Sequence, residues 1–416
     1  MPLTSLSAAR QAALDAIAPA APERVRLLDA QGRFLATRVV ASRSLPGCDN
    51  SAMDGWAVRA EETQGANRDR PSRLRIIDTV FAGRLPTTRL HPGEAARIFT
   101  GAPLPLGADA VVRQEAARAS DDATCVDIFI SVPPGNDIRR AGEEVLTGAP
   151  LFDAGQRVSA AVLGVLASLG ATEVLVRPAP RVAVLATGDE LVPPGTPALP
   201  HQVYESNLIL VAALAREAGA DVRELTRAPD DAHALRDALT RLAPQVDVLI
   251  TTGGASVGDK DFVKRVLTSL GARFFVDGVA LKPGKPVAVA RLGDTAVVVL
   301  PGNPGAATVA FDQLARPLLL KYQGVHETRR RVRAHLSEPR HKQAGLTYLI
   351  TTTLEAREGL APRALLRPQG AGQILQNVHG EGWALLPPGR ADFAEEDAVD
   401  VELFDRPAYA PVEPLA

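Results

Sequence analysis

The chain has 416 residues, 46% hydrophobic and 23% charged, with a formal net charge of −2. That length suits two to four domains, and the near-neutral balance excludes a nucleic-acid footprint spread over the whole surface. Cys48 and Cys125 stand far apart without a CxxC or histidine companion, so neither a disulfide framework nor a zinc site is indicated.

The first segment, "MPLTSLSAARQAALDAIAP", reads as a helix. Ser5 or Ser7 can cap it, and Leu6, Ala13, Leu14 and Ile17 recur at helical spacing. Arg10 and Asp15 interrupt it, no signal-peptide core is present, and no apolar run reaches spanning length, so a cytoplasmic protein without membrane contact is expected. From about residue 44 to 144, short β-like runs (Trp56–Val58, Leu74–Ile77, Ala110–Val112, Val126–Ile130) alternate with Gly and Pro clusters, which predicts a β-rich unit. Helical pattern returns over Val158–Leu169 and ends at Gly170, a suitable C-cap.

Beyond the proline pair Pro178 and Pro180 the texture becomes regular. Apolar strands begin at Val182, Val222 and Val248, with more near Val287 and Val297. They alternate with helices over Asn207–Ala218, Asp231–Leu242, Asp261–Leu270 and Pro304–Leu320. One-piece apolar strands between helices predict a mainly parallel sheet covered on both faces. After Tyr322 the pattern is β again, through Thr347–Thr353 and "AVDVELF".

Ligands of such sheets bind at the carboxyl ends of the strands. Four polar turns should meet there: "ATGDEL", "APDD", "TTGGASVGDKD" and "LPGNPGA". Three carry acids, Asp189 with Glu190, Asp230 with Asp231, and Asp259 with Asp261. The fourth, Pro301-Gly302-Asn303-Pro304, offers amides at a helix start, a natural anion cradle. Acids interleaved with amides suit phosphate held on the amides, with Mg²⁺ between phosphate and carboxylate. Any one of these aspartates taken alone more often caps a helix. The Gly253-Gly254 turn matches neither the Walker loop nor GxGxxG. Agreement of four loops on one edge is the stronger signal. "LKPGKP" adds Lys282 and Lys285, suited to a compact oxyanion or to an ordinary solvated turn. In the front half, Asp49, Asn50, Ser51 and Asp54 crowd one loop that reads equally as turn chemistry or as a functional loop, and Thr100, Gly101, Arg139, Arg140, Glu143 and Glu144 follow, whose arginines beside carboxylates read more readily as surface ion pairs.

Together, "DNSAMDGWAVR", "TGAPLPLGADAVV", "ATGDEL", "TGGASVGDKDF", "LKPGKP" and "LPGNPGAATVAF" resemble, in order and spacing, the molybdopterin molybdenumtransferase family: MoeA-type proteins and the C-terminal domain of gephyrin. The resemblance spans nearly the whole chain. It implies a multidomain α/β protein. Domain I would be split (1–43 and 145–178) around an inserted β-rich domain II (44–144). An α/β domain III (179–325) and a β-barrel-like domain IV (326–416) would follow. It implies an elongated homodimer that joins molybdate to adenylylated molybdopterin with Mg²⁺ present and releases AMP. The molybdopterin adenylyltransferase is a candidate docking partner.

By the same resemblance, Glu190 and Asp261 would hold the metal or position water, with Asp54 near the chemistry. Thr100, Asp230, Gly253, Gly254, Ser256, Gly258, Pro301 and Asn303 would line the substrate cleft, and Lys282 and Lys285 would meet molybdate. The chain departs from the family pattern in its tail. In "GLTYLIT", Leu346 and Thr351 stand where arginines are usual, which leaves the two lysines as the oxyanion candidates. Two other readings compete. One is a non-catalytic scaffold, disfavoured because no fused upstream domain or linker is present. The other is a small-molecule kinase, disfavoured because "TTGGASVG" lacks a phosphate-loop lysine.

Overall fold

The computed structural model describes residues 3–254, 262–326, 329–368, 370 and 372–404. The chain forms two compact units. One comprises Met1–Val25, Ala30–Ala36 and Leu175–Ala416, and the other Arg26–Asp29 and Thr37–Val174. Helix α1 (Leu6–Leu14) opens the first unit, with the Ser5 hydroxyl accepting from the Ala8 amide at 3.3 Å.

The second unit is built on a six-stranded sheet: β1 (Gly55–Val58), β2 (Ser72–Val80), β3 (Glu94–Ile98), β4 (Ala110–Arg113), β5 (Ala117–Ala119) and β6 (Cys125–Ile128), in the order β4-β1-β3-β2-β6-β5. Only the β2–β3 pair is parallel. Period-two alternation decides its faces. Trp56, Val58 and Val112 join Leu74 and Ile128 in one core, while Ala57 and Val111 join Val80, Leu90 and Ile98 in another. Helix α2 (Ala160–Ser168) is capped by the Ser159 hydroxyl on the Val162 amide and closes at Gly170, whose φ is +83°.

The first unit continues with β7 (Arg181–Thr187), α3 (Asn207–Glu217), β8 (Asp221–Ala228), α4 (Ala232–Leu242), β9 (Val248–Thr252), α5 (Phe262–Ser269), β10 (Arg273–Asp277), β11 (Leu281–Lys282), β12 (Ala288–Leu292) and β13 (Thr295–Leu300). The central sheet runs β8-β7-β9-β13-β12-β10. Its first four strands are parallel and the last two antiparallel. Strand β10 was not expected from the sequence, because "ARFFVDG" is a short half-buried run at an edge. Both faces are covered, which is why the strands read as unbroken apolar runs. Val184, Ile250 and Val298 pack with α1, α3 and the C-terminal helices, whereas Leu185, Leu249 and Val297 pack with α4 and α5. The last expected helix is two segments, α6 (Pro304–Ala310) and α7 (Arg316–Tyr322), joined by a π turn over Phe311–Ala315. Among the described residues no helix is long and apolar enough to cross a membrane.

Strands β14 (Arg331–Leu336), β15 (Thr347–Arg357), β16 (Leu360–Leu366), β17 (Gly382–Leu386) and β18 (Ala398–Leu403) close into a ring, β15-β16-β14-β18-β17 and back to β15. Closure removes the exposed sheet edges. Leu346, Tyr348, Ile350, Ala384 and Val401 fill the interior. Leu346 is 9% exposed and Thr351 2%, and the Thr351 hydroxyl donates to Asn377 Oδ1 at 3.2 Å.

An ionic network ties α1 to the barrel. Glu402, 1% exposed, meets Arg331 at 2.7 Å and Arg10 at 3.6 Å, and Arg10 also donates to Gln313. Burial alone would raise the Glu402 carboxyl, but Arg10 and Arg331 outweigh it and hold it below its ordinary value near 4.5. The stability this group contributes is therefore present above that value and is lost as pH falls through the lowered folded value. Glu402→Gln should remove this acid-side loss and cost about 2 kcal/mol at pH 7. That is less than the roughly 3–5 kcal/mol of a fully buried pair, because Arg331 is half exposed. Thermal melts of both proteins from pH 3 to 8 would show parallel curves if the network is inert.

The barrel positions make a second prediction. Leu346→Arg forces a guanidinium among Tyr348, Ile350 and Ala384 and should cost more than about 3 kcal/mol, read by chemical denaturation.

Candidate functional site

Register places the four polar turns on one edge. Thr187 pairs with Ala228, Ala186 with Thr252, and Thr252 with Leu300, so β7, β8, β9 and β13 all end at one level. There the chain encloses a cavity of about 550 Å³. Its walls come from "TGDEL" (Thr187, Gly188, Glu190, Leu191), "VYESN" (Val203–Asn207), Asp230, the end of β9 with its glycines (Thr252–Gly254), Pro286, and the turn Pro301–Pro304. Of the residues singled out from sequence, Glu190, Asp230, Gly253, Gly254, Pro301 and Asn303 line it.

The Gly-Gly turn has a steric cause. Gly253 has φ +90°, and a Cβ there would stand 2.2 Å from the Thr187 carbonyl oxygen, so the turn can cross the end of β7 only without a side chain. The neighbouring acids divide their work. Asp231 caps α4 by accepting from the amides of His233 and Ala234, and Asp189 accepts from the Asp230 amide at 3.0 Å. Capping thus accounts for Asp231 and loop bracing for Asp189, leaving Glu190 and Asp230 on the cavity wall. Asp259, Ser256, Gly258 and Asp261 lie outside the described residues.

Two wall residues were missed. Glu205, 4% exposed, accepts from the Leu208 amide at 2.9 Å and so caps α3. Asn207, 6% exposed, donates its side-chain amide to Thr252 Oγ1 at 2.8 Å and to the Gly302 carbonyl at 2.7 Å. It braces three of the converging segments. Since Gly302 offers only an acceptor, the amide orientation is fixed, and among the described residues neither Asn207 Oδ1 nor Thr187 Oγ1, both buried, has a partner. Buried orphans of this kind cost free energy until a ligand or water meets them. The signal available in the sequence was "YESN" directly before a helical pattern, which reads as a helix start and nothing more.

The cavity wall carries Glu190, Glu205 and Asp230 and, among the described residues, no lysine or arginine. Lys282 and Lys285 are exposed and do not line it, although Pro286 of the same turn does. Among the described residues no three His, Cys, Asp or Glu side chains cluster closely enough to hold a metal by themselves.

In the other unit the structure joins two further candidates. Asp54 Oδ1 accepts from the Thr100 amide at 2.8 Å and from its hydroxyl at 2.7 Å. The Thr100 amide and hydroxyl hold this carboxyl below its ordinary value. Arg140, by contrast, pairs with Asp49 at 2.7 Å, the surface ion pair that the sequence also allowed.

Asn207→Ala removes both loop ties and should cost about 1–3 kcal/mol. Thr252→Val, which removes one of them, should cost less. Urea denaturation of the pair ranks the two, and equal stability of Asn207→Ala and wild type would mean that the ties carry nothing.

Known proteins can now be set beside this geometry. Residues 4–170 match the family model described as the MoeA N-terminal region (domain I and II), and residues 183–321 match the probable molybdopterin binding domain. The chain is 42% identical over 389 residues to molybdopterin molybdenumtransferase 2 of Mycobacterium tuberculosis, covering 91% of this chain and 92% of that protein. It is 33% identical over 389 residues to the molybdopterin molybdenumtransferase of Bacillus subtilis, covering 92% and 90%. A solved structure of a molybdopterin biosynthesis MoeA protein from Pyrococcus horikoshii superposes with a TM-score of 0.80 at 29% identity, covering 97% of this chain and all of that one. The chain belongs to the molybdopterin molybdenumtransferase family of molybdenum cofactor biosynthesis enzymes.

Proposed function

We infer that the cavity at the strand ends binds adenylylated molybdopterin, that molybdate is joined there to its dithiolene, and that AMP is released. The observation that carries this reading is a cavity walled by carboxylates and, among the described residues, by no lysine or arginine, in a chain of this family. An adenylylated phosphate bears negative charge, and the wall carboxylates would repel it. A divalent cation between the two resolves the conflict: Mg²⁺ takes one or two carboxylates and completes its shell with phosphate oxygens and water. Glu190 and Asp261 are the residues that would hold it, with Asp230 beside them. When bound, it would neutralise charge on the phosphoanhydride.

The protein's own share is positioning. Asn207 braces the turns at Thr252 and Gly302, so that the groups around a ligand cannot drift apart. Asn207 Oδ1 and Thr187 Oγ1 offer buried polar atoms to the organic part of the substrate. Phosphoryl chemistry asks for placement and charge stabilisation more than for a strong nucleophile. Lys282 and Lys285 are assigned to molybdate, since an exposed ammonium pair suits a dianion. A homodimer, a contribution from Asp54 and Thr100, and docking of the adenylyltransferase belong to the same reading.

The test is AMP release from adenylylated molybdopterin with Mg²⁺, with and without molybdate. Wild type should release AMP in a molybdate-dependent way, and Glu190→Ala and Asp261→Ala should each slow it by about 10²–10³-fold. A folded wild type that releases none would overturn the catalytic reading in favour of the scaffold.

A further inference from the structure

An exposed lysine on a two-residue strand has a flexible four-carbon stem, and a useful oxyanion ligand needs its ammonium held in place. Here β11 lies against β15 in parallel register, Leu281 opposite Thr347 and Lys282 opposite Tyr348. The Lys282 ammonium stands 5.1 Å from the centre of the Tyr348 ring, within the range of a cation–π contact. The ring itself is fixed. Tyr348 is 8% exposed, belongs to the barrel core, and accepts at its hydroxyl from the Gln343 amide at 3.3 Å.

The same ring carries a second ammonium, that of Lys342, at 5.3 Å. Lys342 is only 2% exposed and donates to the carbonyls of Leu346 at 2.9 Å and Gln343 at 3.3 Å. Lysine is almost never this buried without a carboxylate. Among the described residues neither Lys342 nor Lys282 has one, so two carbonyls and a ring face meet the Lys342 charge. Burial lowers the Lys342 pKa from its ordinary value and Tyr348 opposes the shift. Leu346 and Tyr348 lie in "GLTYLIT", the stretch read as departing from the family pattern, and Lys342 lies three residues before it.

We propose that Tyr348, seated by Lys342, is a positioning residue that fixes the Lys282 ammonium for oxyanion binding. The proposal rests on the assignment of Lys282 to molybdate made above. It explains what steadies that lysine when Leu346, in the barrel core, and Thr351, buried on the opposite face of β15 beside Asn377, supply no cation. A dianion at Lys282 would also meet a ring whose face already bears positive charge.

The experiment is AMP release at saturating adenylylated molybdopterin and Mg²⁺ with molybdate titrated. Lys282→Ala should raise the molybdate KM by about tenfold or more. Tyr348→Leu should raise it by about three- to tenfold, the scale of a lost cation–π contact. It should leave kcat at saturating molybdate and the KM for the pterin substrate unchanged. Tyr348→Phe keeps the ring and should behave as wild type. Tyr348→Leu added to Lys282→Ala should have no further effect on the molybdate KM, because it acts through that side chain. If Lys282→Ala leaves the molybdate dependence intact, the oxyanion assignment itself fails. If Lys282→Ala raises KM while folded Tyr348→Leu matches wild type, the positioning role is overturned. Should Tyr348→Leu not fold, reductively ¹³C-methylated wild type decides. The Lys282 signal, assigned by its loss in Lys282→Arg, should show an upfield ring-current shift, and an unshifted signal overturns the proposal.

Discussion

The parallel register of β7, β8, β9 and β13 is the constraint on which the rest of the first unit depends. Three strands buried on both faces, β7, β9 and β13, and the half-exposed edge strand β8 stop at one level, marked by Thr187, Thr252, Leu300 and Ala228. Beyond that level the backbone has lost its ladder partners and must be satisfied by turns and side chains. Each turn therefore carries polar residues for a structural reason before it carries them for a chemical one. Asp231 and Glu205 spend their carboxylates on helix amides, and Asp189 spends its own on the neighbouring turn. Glu190 and Asp230 face the cavity within that frame.

The same logic explains what could be read in advance. A strand covered on both faces is an unbroken apolar run, so β7, β9 and β13 declared themselves, and their polar turns followed. Residues whose role depends on a distant neighbour did not. Asn207 opens α3 and looks like an ordinary helix start, yet its amide reaches a threonine 45 positions away and a carbonyl 95 away. Barrel closure was legible only through the family resemblance, because pairing between β15 and β17 is a relation between two strands that no local pattern records. The pair Asp54 and Thr100 shows the intermediate case. Both were picked as polar loop residues, but the hydrogen bonds that unite them cross 46 positions.

Charge distribution gives the site its character. Three carboxylates line a cavity that, among the described residues, has no basic wall, while the lysines of "LKPGKP" lie on an exposed turn whose Pro286 reaches the same cavity. A site that gathered both signs in one dry place would pair them with each other and bind neither a metal nor an oxyanion. Keeping the ammonium groups off the acid wall leaves each sign available for a ligand of the opposite one. For a substrate set with an anionic phosphate and a second, separate dianion, such separation is what binding both requires.

The tail departures also look different once their burial is known. Read along the chain, Leu346 and Thr351 are two missing arginines. In the fold they are interior residues, Leu346 in the barrel core and Thr351 bonded to Asn377. An arginine at either place would need its own counter-charge or an opening to water. Cationic character in this stretch rests with Lys342, which turns inward to two carbonyls and one aromatic ring. At both buried positions the packing as a whole decides what a larger, charged side chain would do. Returning one side chain would then fail for reasons of volume and solvation before any question of catalysis arose.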